Sequence, residues 1–176
     1  TLIFNKREDL KRGHYKLEAN ATALDLLDIL SNGRESLYSI YFSEGFTSSE
    51  MIKKIKENKH LKKTLKSYDK DSILKAISSD KKYLEGLFFP DSYYFYKDTS
   101  DIEILQNAHR VLNKKLQSAW DNRAEELPYE NMYEALIIAS IIEKEVGVLE
   151  EARIIAGVFV NRINIGMPLQ SDPTVI

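Results

Sequence analysis

The 176-residue chain contains no cysteine, which excludes disulfides, thiolate metal sites and a cysteine nucleophile and leaves the redox compartment open. Its 7 glycines and 4 prolines are too few for a collagen-like or low-complexity chain. The 3 histidines, His14, His60 and His109, are scattered, with no HExxH and no paired spacing, so no metal or metal-dependent chemistry is expected. An excess of positive charge is missing too. The 25 Lys and Arg face 27 Asp and Glu for a net −2, which removes the attraction to phosphate on which most nucleic-acid binders depend; no nucleic-acid partner is expected. The longest apolar run, Ala135 to Ile142, is far short of the ~18 residues that span a bilayer, and Thr1 opens no signal-peptide pattern. Neither a Walker loop, a GxGxxG nor a GxSxG elbow occurs, which sets aside nucleotide and serine-nucleophile chemistry.

What is there supports a packed core. Hydrophobic residues make up 43% and charged residues 30%, and at roughly 150 residues per domain the length suits one domain plus a small unit, or two small ones. The fold class read from the pattern is α+β. A strand is expected around His14 to Leu17, and another at Leu37 to Phe42. Between them Thr22 and Asp25 form a capping-box pattern ahead of Ala23, Leu26, Leu27 and Leu30, with Asn32-Gly33 closing the helix. Thr47 to Glu50 caps a helix that places Met51, Ile52 and Ile55 on one face, leaving Lys53, Lys54 and Lys56 as a solvated face. Residues 56 to 82 are rich in Lys, Ser and Asp around a short pattern at Ile73, Leu74 and Ile77. A boundary is therefore placed near residue 80, dividing 1–80 from 81–176.

Beyond it the dense aromatic segment Leu84 to Tyr96 is broken by Pro90-Asp91 and should be loop or edge strand. Ser100 with Glu103 caps a long helix whose stripe runs Leu105, Ala108, Leu112, Leu116 and Ala119, extended by Trp120. A helix containing ALIIASII, apolar on every side and so expected to be buried, ends in Glu143-Lys144-Glu145. A last helix, about Glu150 to Ile165, is expected to bury Ile154 and Val158, with Ile155 and Val160, and to stop at Gly166.

With other chemistry set aside, acid/base work by carboxylates remains. A glutamate at the end of an apolar helix is expected to be partly desolvated, which raises its pKa toward the range where it donates a proton near neutral pH. Glu143 and Glu145 are the candidates. At about 100° per residue they point about 200° apart, so one can serve a cleft while the other is structural. A helix end left in solvent is the competing reading.

Three separated stretches, SEGFTSSEMI, LEGLFFPDSYYFY and ASIIEKEVGVLEEARIIAGVFVNRINIGMPLQSDPTVI, together with GHYKL, resemble the endolytic murein transglycosylase (YceG-like) family in order and over nearly the whole chain. The resemblance implies a small LysM-like unit in residues 1–80. In 81–176 it implies the mainly helical first part of a catalytic domain, truncated at its carboxyl end. It also implies a lytic transglycosylase that cuts the MurNAc–GlcNAc bond inside peptidoglycan glycan strands, leaves 1,6-anhydro-MurNAc ends, and uses one glutamate as acid and then base with no cofactor. Glu145 is its catalytic residue by the resemblance. Val146 departs from the Ser or Thr that related enzymes place directly after their glutamate, which keeps Glu143 as runner-up.

Substrate-binding positions implied are Asn161, Gln170, Ser171, Asp172 and Thr174, with Glu85, Asp91 and Tyr93 as a second wall; an ordinary turn at Asp172-Pro173 and core packing of the aromatics are the alternatives. The implied setting is the bacterial inner membrane with the domain facing the periplasm, through an anchor outside these residues, and with cell-wall synthesis proteins as partners. Starting without Met and stopping in mid-motif, the chain is expected to be a piece of a longer protein with weak or no turnover alone. A non-catalytic peptidoglycan-binding or scaffold module, and a cytosolic helical adaptor, are the rival readings.

Overall fold

The structure, a computed structural model, describes residues 13, 15, 17, 19–32 and 36–171. Its elements are α1 (Ala23–Asn32), β1 (Leu37–Tyr41), α2 (Ser48–Glu57), α3 (Lys70–Ala76), β2 (Ser92–Tyr96), α4 (Asp101–Asp121), α5 (Met132–Glu145) and α6 (Ala152–Asn164). Helices predominate over one two-stranded sheet, an α+β composition. The strand expected around His14 to Leu17 falls largely outside the described residues.

Local chemistry starts α1, α2 and α4 where the sequence signals it. Thr22 and Asp25 exchange hydrogen bonds ahead of α1, and full capping boxes join Thr47 with Glu50 at α2 and Ser100 with Glu103 at α4. Each box satisfies backbone N–H groups that a helix start otherwise leaves unpaired. The break at Pro90 also acts as expected. The segment turns at Gly86, whose φ of +73 suits a residue without Cβ, and becomes β2 only after Asp91. β2 pairs antiparallel with β1 in the register Leu37 with Tyr96 through Tyr41 with Ser92. Asp91 then extends the ladder by one bond, its carbonyl accepting from the Phe42 N–H at 3.0 Å.

The inner face of the sheet, with Ile40, Tyr93 and Phe95, packs on α2, α3 and the first half of α4 in one hydrophobic cluster. This core is continuous across residue 80: Met51, Ile55 and Ile73 on one side meet Leu87, Phe88 and Leu105 on the other. Burying each such side chain contributes about 1.5–3 kcal/mol, so the cluster is the principal stabilising element. Residues 60–65 are stitched to the start of α4, where the Lys62 N–H donates to the Thr99 carbonyl and the Asp101 N–H to the Lys62 carbonyl.

Two expectations need correction. The helix read as buried all round has no buried residue, and Ile137 is 43% exposed. Apolar side chains are buried only where another element lies against them, and among the described residues α5 packs on α4 and α6 while its Tyr133-to-Lys144 side borders open space. In α6, Ile154 is 70% exposed and Val158 is also exposed, while Phe159 is the buried residue. The run from Ile154 to Val160 is apolar at every position, so its composition did not define an inward stripe; the register is set by Phe159 with the half-buried Ile155 and Ile163.

Candidate functional site

Both halves of the chain contribute to an open cleft of about 690 Å³. One wall is the Glu44–Ser48 loop with the start of α2, a second is the Glu85–Asp91 stretch, and the third is the exposed side of α5 from Tyr133 to Lys144. Phe88, Phe89, Met51 and Leu112 make its surface apolar, while Glu44, Glu85, Asp91 and Glu143 place four carboxylates around it and Lys144 the one cation. Lys144 spans the gap between walls, its Nζ donating to the Gly45 carbonyl at 2.9 Å. Aromatic surface with polar groups at the rim is the kind of lining that accepts sugar faces and hydroxyls.

The Glu143-Lys144-Glu145 triplet divides as helical spacing requires. Glu143 lines the cleft. Glu145, the last residue of α5, instead meets the segment that follows α6: the Ser171 hydroxyl donates to Glu145 Oε1. Two positions 26 residues apart in the chain, both singled out in the sequence, are thus brought into contact. The burial expected of these glutamates is not found: both side chains are exposed.

The geometry that delivers Ser171 begins at the end of α6. Gly166 adopts φ +67, its N–H bonds to the Ile163 carbonyl, and the Met167 N–H bonds back to the Arg162 carbonyl at 2.7 Å, a Schellman stop. Arg162 then donates from its guanidinium to the Leu169 carbonyl. Gln170 is exposed and sits at φ 53, and Asn161 is exposed on α6. Asp172 and Thr174 lie outside the described residues.

On the second wall the predicted residues separate by role. Glu85 borders the cleft, but its carboxylate also accepts from the Ser48 N–H at 3.1 Å and the Ser48 hydroxyl at 2.9 Å, tying the aromatic segment to the start of α2. That pairing joins residues 37 apart and left no signal in the sequence beyond the cap at Thr47. Asp91 borders the cleft and folds its carboxylate onto the Ser92 N–H. Tyr93 is in the core, 4% exposed, its ring against Phe42 and its hydroxyl donating to the Phe89 carbonyl at 2.6 Å. Burial, with Asp91 close by, pushes that phenol well above its usual range, so it remains a donor. Tyr93→Phe is expected to cost about 1 kcal/mol in a urea melt. A variant as stable as the parent chain would show that this hydrogen bond contributes nothing to the fold.

His109 is a packing residue. Its Nδ1 lies 2.9 Å from the Leu87 carbonyl, which fixes the proton there and leaves Nε2 to accept from the Asn113 amide at 3.1 Å. Among the described residues no group of three His, Asp or Glu is placed to hold a metal ion, and no helix is long and apolar enough to cross a membrane.

Comparison with known proteins gives one consistent result. The YceG-like family model matches residues 1–176. The endolytic murein transglycosylase of Streptococcus pneumoniae serotype 2 (strain D39 / NCTC 7466) is 26% identical over 197 residues, covering 96% of this chain and 35% of that protein. The endolytic murein transglycosylase of Bacillus subtilis (strain 168) is 27% identical over 179 residues, covering 98% of this chain and 49% of that protein. The chain therefore spans between a third and a half of these curated relatives. A 2.6 Å crystal structure of a yceG-like protein from Listeria monocytogenes shares the fold with a TM-score of 0.57 at 24% identity, over 99% of this chain and 63% of that one.

Proposed function

The chain belongs to the YceG-like family, and from that premise we propose that it carries the catalytic glutamate of a lytic transglycosylase acting within peptidoglycan glycan strands. The observation that carries the reading is the contact between Ser171 and Glu145, which joins the two motifs expected to form the site. In this reaction the Glu145 carboxylic acid gives its proton to the oxygen linking MurNAc to GlcNAc as the C1–O bond breaks. The carboxylate then takes the proton from the MurNAc C6 hydroxyl as that oxygen bonds to C1, leaving a 1,6-anhydro end and the carboxylic acid restored. One group serves as acid and base in turn, so neither a second carboxylate nor a cofactor enters the scheme.

The apolar cleft bordered by Glu85 and Asp91 suits a stretch of the glycan strand to one side of the scissile bond, with Phe89 and Tyr133 offering rings to sugar faces. A second assignment is favoured by one observation: Glu143, not Glu145, lines that cleft. The proposal extends to the rest of the protein. Residues 1–80 would act as a LysM-like docking unit, a segment outside residues 1–176 would hold the protein at the inner membrane facing the periplasm, and the chain alone would turn over weakly. Mass spectrometry of sacculi digested by the full-length protein tests the reaction. Anhydro-muropeptides are expected, whereas glycan binding with unchanged strand lengths would make the chain a scaffold module.

A further inference from the structure

Resting on the reading of Glu145 as the acid, we propose that Ser171 is a positioning residue for that carboxyl and not a glycan contact. At 3% exposure its side chain is withdrawn from a polymer arriving through solvent, and its hydroxyl donates to Glu145 Oε1. The approach of Ser171 to Glu145 is built in successive steps. The left-handed Gly166 ends α6, the Arg162 guanidinium clamps the Leu169 carbonyl, and Gln170 takes a left-handed backbone, which residues other than glycine seldom adopt. Such a conformation persists where surrounding contacts fix it, and here it turns the chain so that Ser171 returns to the end of α5.

Glu145 needs such a partner. It is exposed and ends its helix, and the next residue, Val146, caps that helix with an extended backbone and offers no hydroxyl. A glutamate in that position is free to sample its rotamers, and proton transfer to one oxygen of a substrate demands a fixed direction. The Ser171 hydroxyl occupies Oε1, which restricts the carboxyl and assigns the transferable proton to Oε2. Sequence distance hides the arrangement, because the hydroxyl comes from beyond α6 and not from the residue beside the acid.

The test is steady-state kinetics of the full-length protein on soluble, uncrosslinked glycan strands, counting 1,6-anhydro ends. Ser171→Ala is expected to lower kcat about tenfold, the contribution of one hydrogen bond to a charged group, with KM unchanged. Ser171→Thr, which keeps the hydroxyl, is expected to retain most of the rate. If the alanine variant does not fold, Ser171→Cys carries the test, since it keeps the side-chain shape with a much weaker donor and is expected to lose kcat likewise. Wild-type kcat in the folded Ser171 variants, or a raised KM at unchanged kcat, overturns the proposal. Glu145→Gln serves as the control: activity retained there overturns the reading beneath, whereas an inactive Glu145→Gln beside a fully active Ser171→Ala overturns only the role of Ser171.

Discussion

Glu145→Gln in the full-length protein is expected to lower the release of 1,6-anhydro ends by about 10²–10⁴, the range that a positioned proton donor supplies. Glutamine keeps the length and shape of the side chain and its Oε1 still accepts from Ser171, so the folded structure should be retained. What it lacks is a proton to give to the leaving oxygen and a charge to receive one from the C6 hydroxyl. Binding of glycan strands should survive, because the cleft walls at Glu85, Phe89 and Tyr133 are untouched. Glu143→Gln is the necessary companion. The two carboxyls differ in surroundings: Glu143 borders the cleft, while Glu145 is held by Ser171. If the glutamine at 143 removes the product and the one at 145 does not, the assignment is reversed and Ser171 loses its place in the mechanism. If both variants bind strands and both still cut them, the acid lies elsewhere.

The physical reasons for which features were readable in the sequence are particular. Capping boxes announce themselves within four residues, so the starts of α1, α2 and α4 follow directly from Thr22, Thr47 and Ser100. The stop at Gly166 and the break at Pro90 are equally local, because backbone conformation there depends on the residue itself. The first half of the α4 stripe could be read because polar residues interrupt it on the other face: Leu105, Ala108 and Leu112 are buried as their spacing requires, whereas further on Leu116 and Trp120 are half-buried and Ala119 is exposed. In α5 and α6 that contrast is missing, and the apolar residues gave no indication of which ones would meet a neighbour. The opposed directions of Glu143 and Glu145 follow from helix geometry alone, while the partner of each depends on tertiary placement. Nothing near Glu145 in the chain announces Ser171, and nothing near Ser48 announces Glu85.

Asp101 is another such residue, and its removal should have the largest effect on stability. Its position just after the Ser100 cap suggests only a favourable charge at the start of α4. In the folded chain it is fully buried and collects hydrogen bonds from the Thr64 N–H at 2.8 Å, the Thr64 hydroxyl, the Leu65 N–H at 3.3 Å and the Tyr68 hydroxyl. Burial by itself would raise the pKa of this carboxyl. The bonds from Thr64, Tyr68 and Leu65 together outweigh burial and hold it below the usual carboxylate range. Because the folded pKa lies below the unfolded one, the charged form stabilises the fold in full above the ordinary carboxylate pKa, and that contribution is lost as pH falls through the folded value. Asp101→Ala leaves several buried donors without an acceptor and is expected to cost about 3 kcal/mol or more at pH 7, or roughly 6–12 °C in Tm for a chain of this size. Asp101→Asn should cost less, since its amide still offers one acceptor. Urea melts of the three proteins from pH 7 down to pH 2.5 check both the size and the sign: the gap between wild type and Asp101→Ala should be widest above pH 5 and narrow as the carboxylate is protonated. A gap that stays constant to pH 2.5 would show that the charge contributes nothing and that Asp101 acts through shape alone.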